Sequence, residues 1–243
     1  MRLAVLSDIH GNLDAFQEVL ADIEQVGVDH IFCLGDMVGY GPEPEECLEL
    51  VREREIPCIL GNHEMGILSP KTLKWFNPTA RESIEKTRDM LSASSRLWLQ
   101  TLPQFRIYET IRFVHGFPPD SPFLYLFQVP RDGLIRSFAT LSETICLVGH
   151  THVMRLIRFD GVEPVTTRIG PGLISLGESN KYIINAGSVG QPREGTISAG
   201  YLLLDTGQGT LEARMIPYDS SRTAEKILRL GLPAVHAERL RPR

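Results

Sequence analysis

Leu3-Ala4-Val5-Leu6-Ser7-Asp8-Ile9-His10-Gly11-Asn12 decides how this chain is read. Four apolar residues make a run of strand length, and Asp8 and His10 follow two residues apart, so that in extended backbone both project to the same side. Beyond Gly11 the period changes. Leu13, Phe16, Val19, Leu20 and Ile23 recur at helical spacing, and Ile31 to Leu34 reads as a second strand. This β-α-β order predicts parallel pairing.

Working outward, a helix beginning near Pro44 turns Cys47, Leu48 and Val51 inward, and a further strand is expected over Ile56 to Leu60. Asn77 to Leu102 is helical in pattern, with Pro103 as its stop; Ile111 to Val114 is a strand, Arg131 to Ala139 a helix and Ile145 to Val148 a strand. From Met154 the pattern becomes short β segments: Arg155 to Phe159, Leu173 to Leu176, Tyr182 to Asn185, Tyr201 to Leu204 and Leu211 to Ile216. The simplest assembly puts these in a second, mostly antiparallel sheet packed on the first, with helices outside.

The chain has 243 residues, of which 42% are hydrophobic, enough for one sizeable core, and no repeat or linker divides it. A formal charge of -5 gives no electrostatic footprint for tight binding to a nucleic-acid polymer or an anionic membrane. Arg222, Arg229, Arg239, Arg241 and Arg243 make the C-terminus locally basic, which reads as a solvated helix face or tail and is assigned no function. Cys33, Cys47, Cys58 and Cys146 have no paired spacing, so buried thiols in a reducing cytoplasm are expected. No apolar run reaches the roughly 20 residues of a membrane span, and cytoplasmic residence is the expectation.

The chemistry-bearing residues gather at strand ends. Asp8, His10, Asp36, Asn62, His63, His115, His150 and His152 each follow an expected strand, where open α/β sheets bind their ligands. Five of the seven histidines belong to this set; His30 and His236 do not. Asp8 and His10 can grip one ion, Gly35-Asp36 adds a carboxylate, Gly61-Asn62-His63-Glu64 an amide oxygen and an imidazole, and Gly149-His150-Thr151-His152 two imidazoles. Mixed oxygen and nitrogen donors without thiolates suit divalent Mn, Fe, Ni, Co or Zn. Singly, Asp8 and Asn62 read as turn residues and His115 as structural. Together the eight read as a metal site.

The order D-x-H, G-D, G-N-H-E, H, G-H-x-H over Asp8 to His152 resembles the calcineurin-like metallophosphoesterase superfamily, in its compact bacterial phosphodiesterase-like branch. The resemblance implies one metal held by Asp8, His10, Asp36 and His152, a second by Asp36, Asn62, His115 and His150, and Asp36 as the bridge. Two such cations about 3.5–4 Å apart lower the pKa of a shared water, aim it at phosphorus and neutralise phosphoryl charge. His63 is then the candidate catalytic acid for the departing oxygen, and Glu64 either orients a neighbour or is a first-turn helix acid. Gly187-Ser188-Val189-Gly190-Gln191-Pro192-Arg193 is similar to a segment of the same branch, with Arg193 read either as a phosphate clamp or as a surface arginine. Asn12 reads first as a helix N-cap and is carried, with Arg193, as a substrate-contact candidate.

Departures narrow the substrate. Where serine/threonine protein phosphatases carry aspartate and arginine after G-D-x-x, this chain has Gly39 and Tyr40, which removes a partner for His63 and a cation for phosphate. Phe117, Pro118 and Pro119 replace the branch's serine-proline-arginine after Gly116. The expectation is a single α/β domain over 1–243, a four-layer α/β/β/α sandwich of two mixed β-sheets flanked by helices. Its function is expected to be metal-dependent hydrolysis of small phosphodiesters or nucleotides. The alternatives are a phosphomonoesterase, a dinucleoside polyphosphate hydrolase, or a non-catalytic scaffold of the same fold, which ligand loss would mark.

Overall fold

The computed structural model describes residues 1–193 and 195–241; Arg243 of the basic C-terminal run lies outside them. In chain order, β1 (Arg2–Leu6), α1 (Leu13–Val26), β2 (His30–Cys33) and α2 (Pro44–Glu53) are followed by α3 (Asn62–Leu68), a 3-10 turn over Pro70–Trp75, α4 (Pro78–Met90) and α5 (Ala93–Leu99). Then come β3 (Phe105–Tyr108), β4 (Ile111–Val114), a 3-10 turn over Leu126–Gln128, α6 (Arg131–Thr140), β5 (Ile145–Val148), β6 (Arg155–Phe159) and β7 (Pro164–Arg168). The chain continues through β8 (Leu173–Ser175), β9 (Lys181–Asn185), β10 (Ala199–Asp205), β11 (Thr210–Ile216), α7 (Ser220–Arg229) and α8 (Ala234–Glu238).

Two mixed sheets face each other, in the orders β2-β1-β10-β11-β8 and β3-β4-β5-β9-β6-β7. β1 and β2 pair in parallel as the β-α-β pattern requires. The segregation of late strands into an antiparallel sheet of their own does not occur: β10 pairs antiparallel with β1, while β9 pairs in parallel with β5. Both late strands are buried almost throughout, and a strand apolar on both faces belongs in the interior of a covered sheet. Ile56 to Leu60 is not a strand. It keeps one parallel bridge, Cys33 to Cys58, and Pro57 beside that bridge has no N–H for a ladder. The helical stretch after Asn77 is two helices, because the Ser92 hydroxyl accepts from the Ser95 N–H and starts α5 afresh.

Alternation along β1 divides the core. Leu3 and Val5 enter the layer between the sheets with Phe32, Phe113, Leu147 and Leu202, whereas Ala4 and Leu6 face α1 and α2 with Phe16, Val19 and Leu48. A third apolar layer joins the outer face of the second sheet to α6 through Val148, Ile183, Leu134 and Phe138. The result is the α/β/β/α sandwich. Phe138 is 1% exposed and stacks on Phe159 with centroids 4.8 Å apart. Phe138→Ala is expected to lower unfolding stability by ~3–5 kcal/mol, read as a shifted urea midpoint.

Candidate metal centre

The loops that leave the strand ends are laced to each other. The Asp8, His10 and Gly11 N–H groups donate to the Gly35, Asp36 and Met37 carbonyls, which ties the two loops together beyond the end of the β1–β2 ladder. The fully buried Glu64 side chain accepts from four backbone N–H groups: Asp36 at 2.8 Å, Met37 at 2.7 Å, Val38 at 3.2 Å and Gly61 at 2.8 Å. Burial and the neighbouring Asp36 charge push its carboxyl up to about 7. Both sequence readings of Glu64 hold: it is a first-turn acid of α3, and it orients the loop that carries Asp36. At Gly61 an added Cβ would run into the Asp36 carboxylate, which is why glycine precedes Asn62.

Asp8, His10, Asp36, Tyr40, His150 and His152 all have left-handed backbone, with φ between 51° and 66°. Such conformations in non-glycine residues cost roughly 1–3 kcal/mol each and persist only where the surroundings impose them.

Three histidines share one orientation. His10 Nδ1 lies 3.0 Å from the Val38 carbonyl, His115 Nδ1 2.8 Å from that of Leu34 and His152 Nδ1 2.6 Å from that of Gln191. A carbonyl only accepts, so each Nδ1 carries the proton and each Nε2 turns a lone pair inward. His150 is reversed, with Nε2 3.2 Å from the Phe123 carbonyl. The inward atoms crowd together: His10 and His152 Nε2 are 3.1 Å apart, and Asp8 Oδ1, 3.1 Å from His152 Nε2, is buried without a hydrogen-bond partner. Asp36 Oδ2 is 3.2 Å from His115 Nε2 and 3.8 Å from His10 Nε2, and Asn62 Oδ1 is 3.1 Å from His115 Nε2.

These groups form two triads with metal-ligand spacing, Asp8-His10-His152 and Asp36-His115-His150, and a third, His10-Asp36-His63, lies between them. Lone pairs and a carboxylate oxygen facing one another away from water are stable only around positive charge. Protons show the same demand. Against the opposing effect of burial, the Asp36 and Asp8 carboxylates push His115 up to about 10, whereas burial and the charge on His115 bring His150 down to about 3. The donor set therefore fits divalent ions.

The family model described as "Calcineurin-like phosphoesterase superfamily domain" matches residues 1–209. The chain belongs to this superfamily. An uncharacterized protein of Methanocaldococcus jannaschii is 37% identical over 244 residues, covering 98% of this chain and 96% of that protein. The crystal structure of a metallophosphoesterase from Sphaerobacter thermophilus superposes with a TM-score of 0.85 at 34% identity, covering 99% of this chain and 98% of that one. A symmetrical bis(5'-nucleosyl)-tetraphosphatase of Aromatoleum aromaticum is 27% identical over 126 residues, 48% of this chain and 44% of that enzyme.

In this calcineurin-like phosphoesterase the remaining sequence-selected residues fare differently. His63 has no carboxylate at Nδ1, which is buried without a partner. Packing orients it instead. Its ring meets Tyr40 edge-on at 4.4 Å and Phe76 at 5.4 Å, and it lies against Gly39, where any Cβ would collide with the imidazole. Gly39 thus makes room for the histidine that it fails to hydrogen-bond. Arg193 lines the cavity of about 400 Å³ over the site, together with Asp36, Asn62, His63, His150 and His152.

Asn12 does not line that cavity. Its Oδ1 accepts from the Ala15 N–H and the Thr223 hydroxyl, and its Nδ2 is shared between the Gly190 carbonyl and the Tyr218 hydroxyl. The amide serves as the cap of α1, the first of its two sequence readings, and its donors and acceptor are engaged in these bonds. Sequence reading missed the C-terminal segment's approach to the site. His236 of α8 stacks on Tyr40 at 4.3 Å, and Arg239 donates to Gln191 Oε1. The His236 spacing carried no signal, since its contacts are set by the packing of α7 and α8.

Two outcomes follow for the purified protein. Glu64→Gln turns an amide donor toward N–H groups that need acceptors, and a loss of ~2–4 kcal/mol in unfolding stability is expected by denaturant titration. Asn12→Ala is expected to cost ~1–2 kcal/mol in the same assay, with KM for a phosphodiester unchanged.

Proposed function

We propose that this calcineurin-like phosphoesterase is a single-domain phosphodiesterase, spanning 1–243, that hydrolyses small phosphodiesters or nucleotides. The observation that carries this reading is the pair of triads joined through Asp36, whose Oδ2 is within 4 Å of histidine nitrogens on both sides. In this reading Asp8, His10, Asp36 and His152 hold one divalent ion and Asp36, Asn62, His115 and His150 the other, each being Mn, Fe, Ni, Co or Zn. Ions held there would supply Lewis acidity, which lowers the pKa of a water and offsets the charge on phosphoryl oxygens.

The chain's own groups supply the rest. Burial and the surrounding histidines keep the His63 imidazole neutral, so it acts by hydrogen-bonding the departing oxygen through one N–H. Arg193, in the same lining, pairs with a non-bridging phosphoryl oxygen. Asp36 is held for its bridging role by the His63 N–H, which donates to Oδ1 at 2.8 Å. The likeness to a symmetrical bis(5'-nucleosyl)-tetraphosphatase favours one second reading, hydrolysis within a polyphosphate chain. Among the described residues no helix is long and apolar enough to cross a membrane, and the four cysteines are buried and free; cytoplasmic residence is part of the proposal.

Protein loaded in turn with Mn, Fe, Ni, Co or Zn is expected to turn over bis-p-nitrophenyl phosphate faster than p-nitrophenyl phosphate. Inactivity of folded, metal-replete protein toward the diester overturns the reading. His63→Ala should lower kcat by about 10²–10⁴-fold at nearly unchanged metal content. Asp36→Asn should lower the content of both metals when measured by elemental analysis.

A further inference from the structure

One wall of the cavity is aromatic from the metal centre to solvent. His63 meets Phe76 edge-on at 5.4 Å, Phe76 meets Phe123 at 6.3 Å, and Phe123 lies 6.4 Å from Trp75 with the planes inclined at 36°. Trp75 at the outer end is 70% exposed, although indole is among the largest apolar side chains. The other group near its ring is the Lys74 ammonium, 5.5 Å from the centroid on a flexible stem. Two amides stand at the same rim. Asn77 Oδ1 is occupied by the Ala80 N–H and Gln128 Oε1 by the Tyr125 N–H. Their NH₂ groups have no partner among the described residues and are free to donate.

We propose that this wall is a nucleobase subsite, so that the substrate is a nucleotide ester whose base stacks on Trp75 while its phosphate lies over the metal centre. The inference rests on the phosphodiesterase reading and narrows its substrate class. A planar ring gains by covering an exposed indole, and base–aromatic stacking is tolerant of base identity. The two free amide donors select a ring with acceptor atoms on its edge, which a heterocyclic base has and a phenyl group lacks. The wall begins at His63, the group placed at the departing oxygen. The nucleoside therefore occupies the leaving side of the ester.

The test uses metal-loaded protein and two probes that share ribose and phosphate, adenosine 5'-monophosphate and ribose 5-phosphate. Calorimetry should give a Kd for the adenosine compound roughly tenfold lower. Trp75→Ala should raise that Kd to the ribose 5-phosphate value without moving the latter. The chain has two tryptophans, Trp75 and Trp98. In Trp98→Phe protein, the emission then belongs to Trp75 and should be quenched saturably by the nucleotide and not by ribose 5-phosphate. Equal affinities for the two probes, or equal weakening of both by Trp75→Ala, overturn the subsite and leave the phosphodiesterase reading standing. Binding of neither probe overturns the subsite together with the phosphate site on which it rests.

Discussion

The metal centre depends on one buried carboxylate that touches no metal-site nitrogen. Glu64, on the first turn of α3, accepts four backbone N–H groups from the loop after β2 and from Gly61. Those donors have no other acceptor, since the loop has left the sheet and is sealed from water. Satisfying them ties the Asp36 loop to the start of α3, and the same turn sends the His63 N–H back to Asp36 Oδ1. Asp36 is thereby gripped from both sides and stands between the two triads.

Around that clamp the site accumulates costs that the rest of the fold must offset. Six side chains at or beside the centre hold left-handed backbone, and lone pairs of buried imidazoles converge on unpartnered carboxylate oxygen. Neither arrangement is favourable by itself. Both are imposed by strands whose own positions come from three apolar layers remote from the chemistry. Backbone carbonyls at Leu34, Val38, Phe123 and Gln191 set the tautomers of His115, His10, His150 and His152, so three separate loops aim the four ligands, the one after β2 aiming two.

The family match ends at residue 209, yet the segment beyond it supports the site. The Lys226 ammonium of α7 binds Asp14 and Glu43, which pins α7 to the starts of α1 and α2. Tyr218 and Thr223 complete the hydrogen bonding of Asn12, and His236 backs Tyr40. This outer layer has its own small apolar core of Ala224, Ile227, Leu232, Ala237 and Leu240.

The layer class and the cluster at the strand ends were legible in the sequence, because apolar period reports which face is buried and because Asp8-x-His10 and His150-x-His152 directly follow apolar runs; the extended backbone expected there is left-handed instead, and His150 and His152 enter different triads. Sheet membership was not, since an apolar run says that a strand has two covered faces and not which neighbour lies beside it; β9 and β10, which chain order placed in one sheet, went to two. Pro57 could have warned that Ile56 to Leu60 would not form a ladder. The ring orientation of His63, the four-fold clamp at Glu64, the commitment of Asn12 to a cap and the approach of His236 belong to tertiary structure alone. By itself the sequence determined which donors this protein brings to a metal centre. Only the fold decided how they are aimed, because hydrogen-bond capacity and ring packing depend on partners tens to hundreds of residues away in the chain.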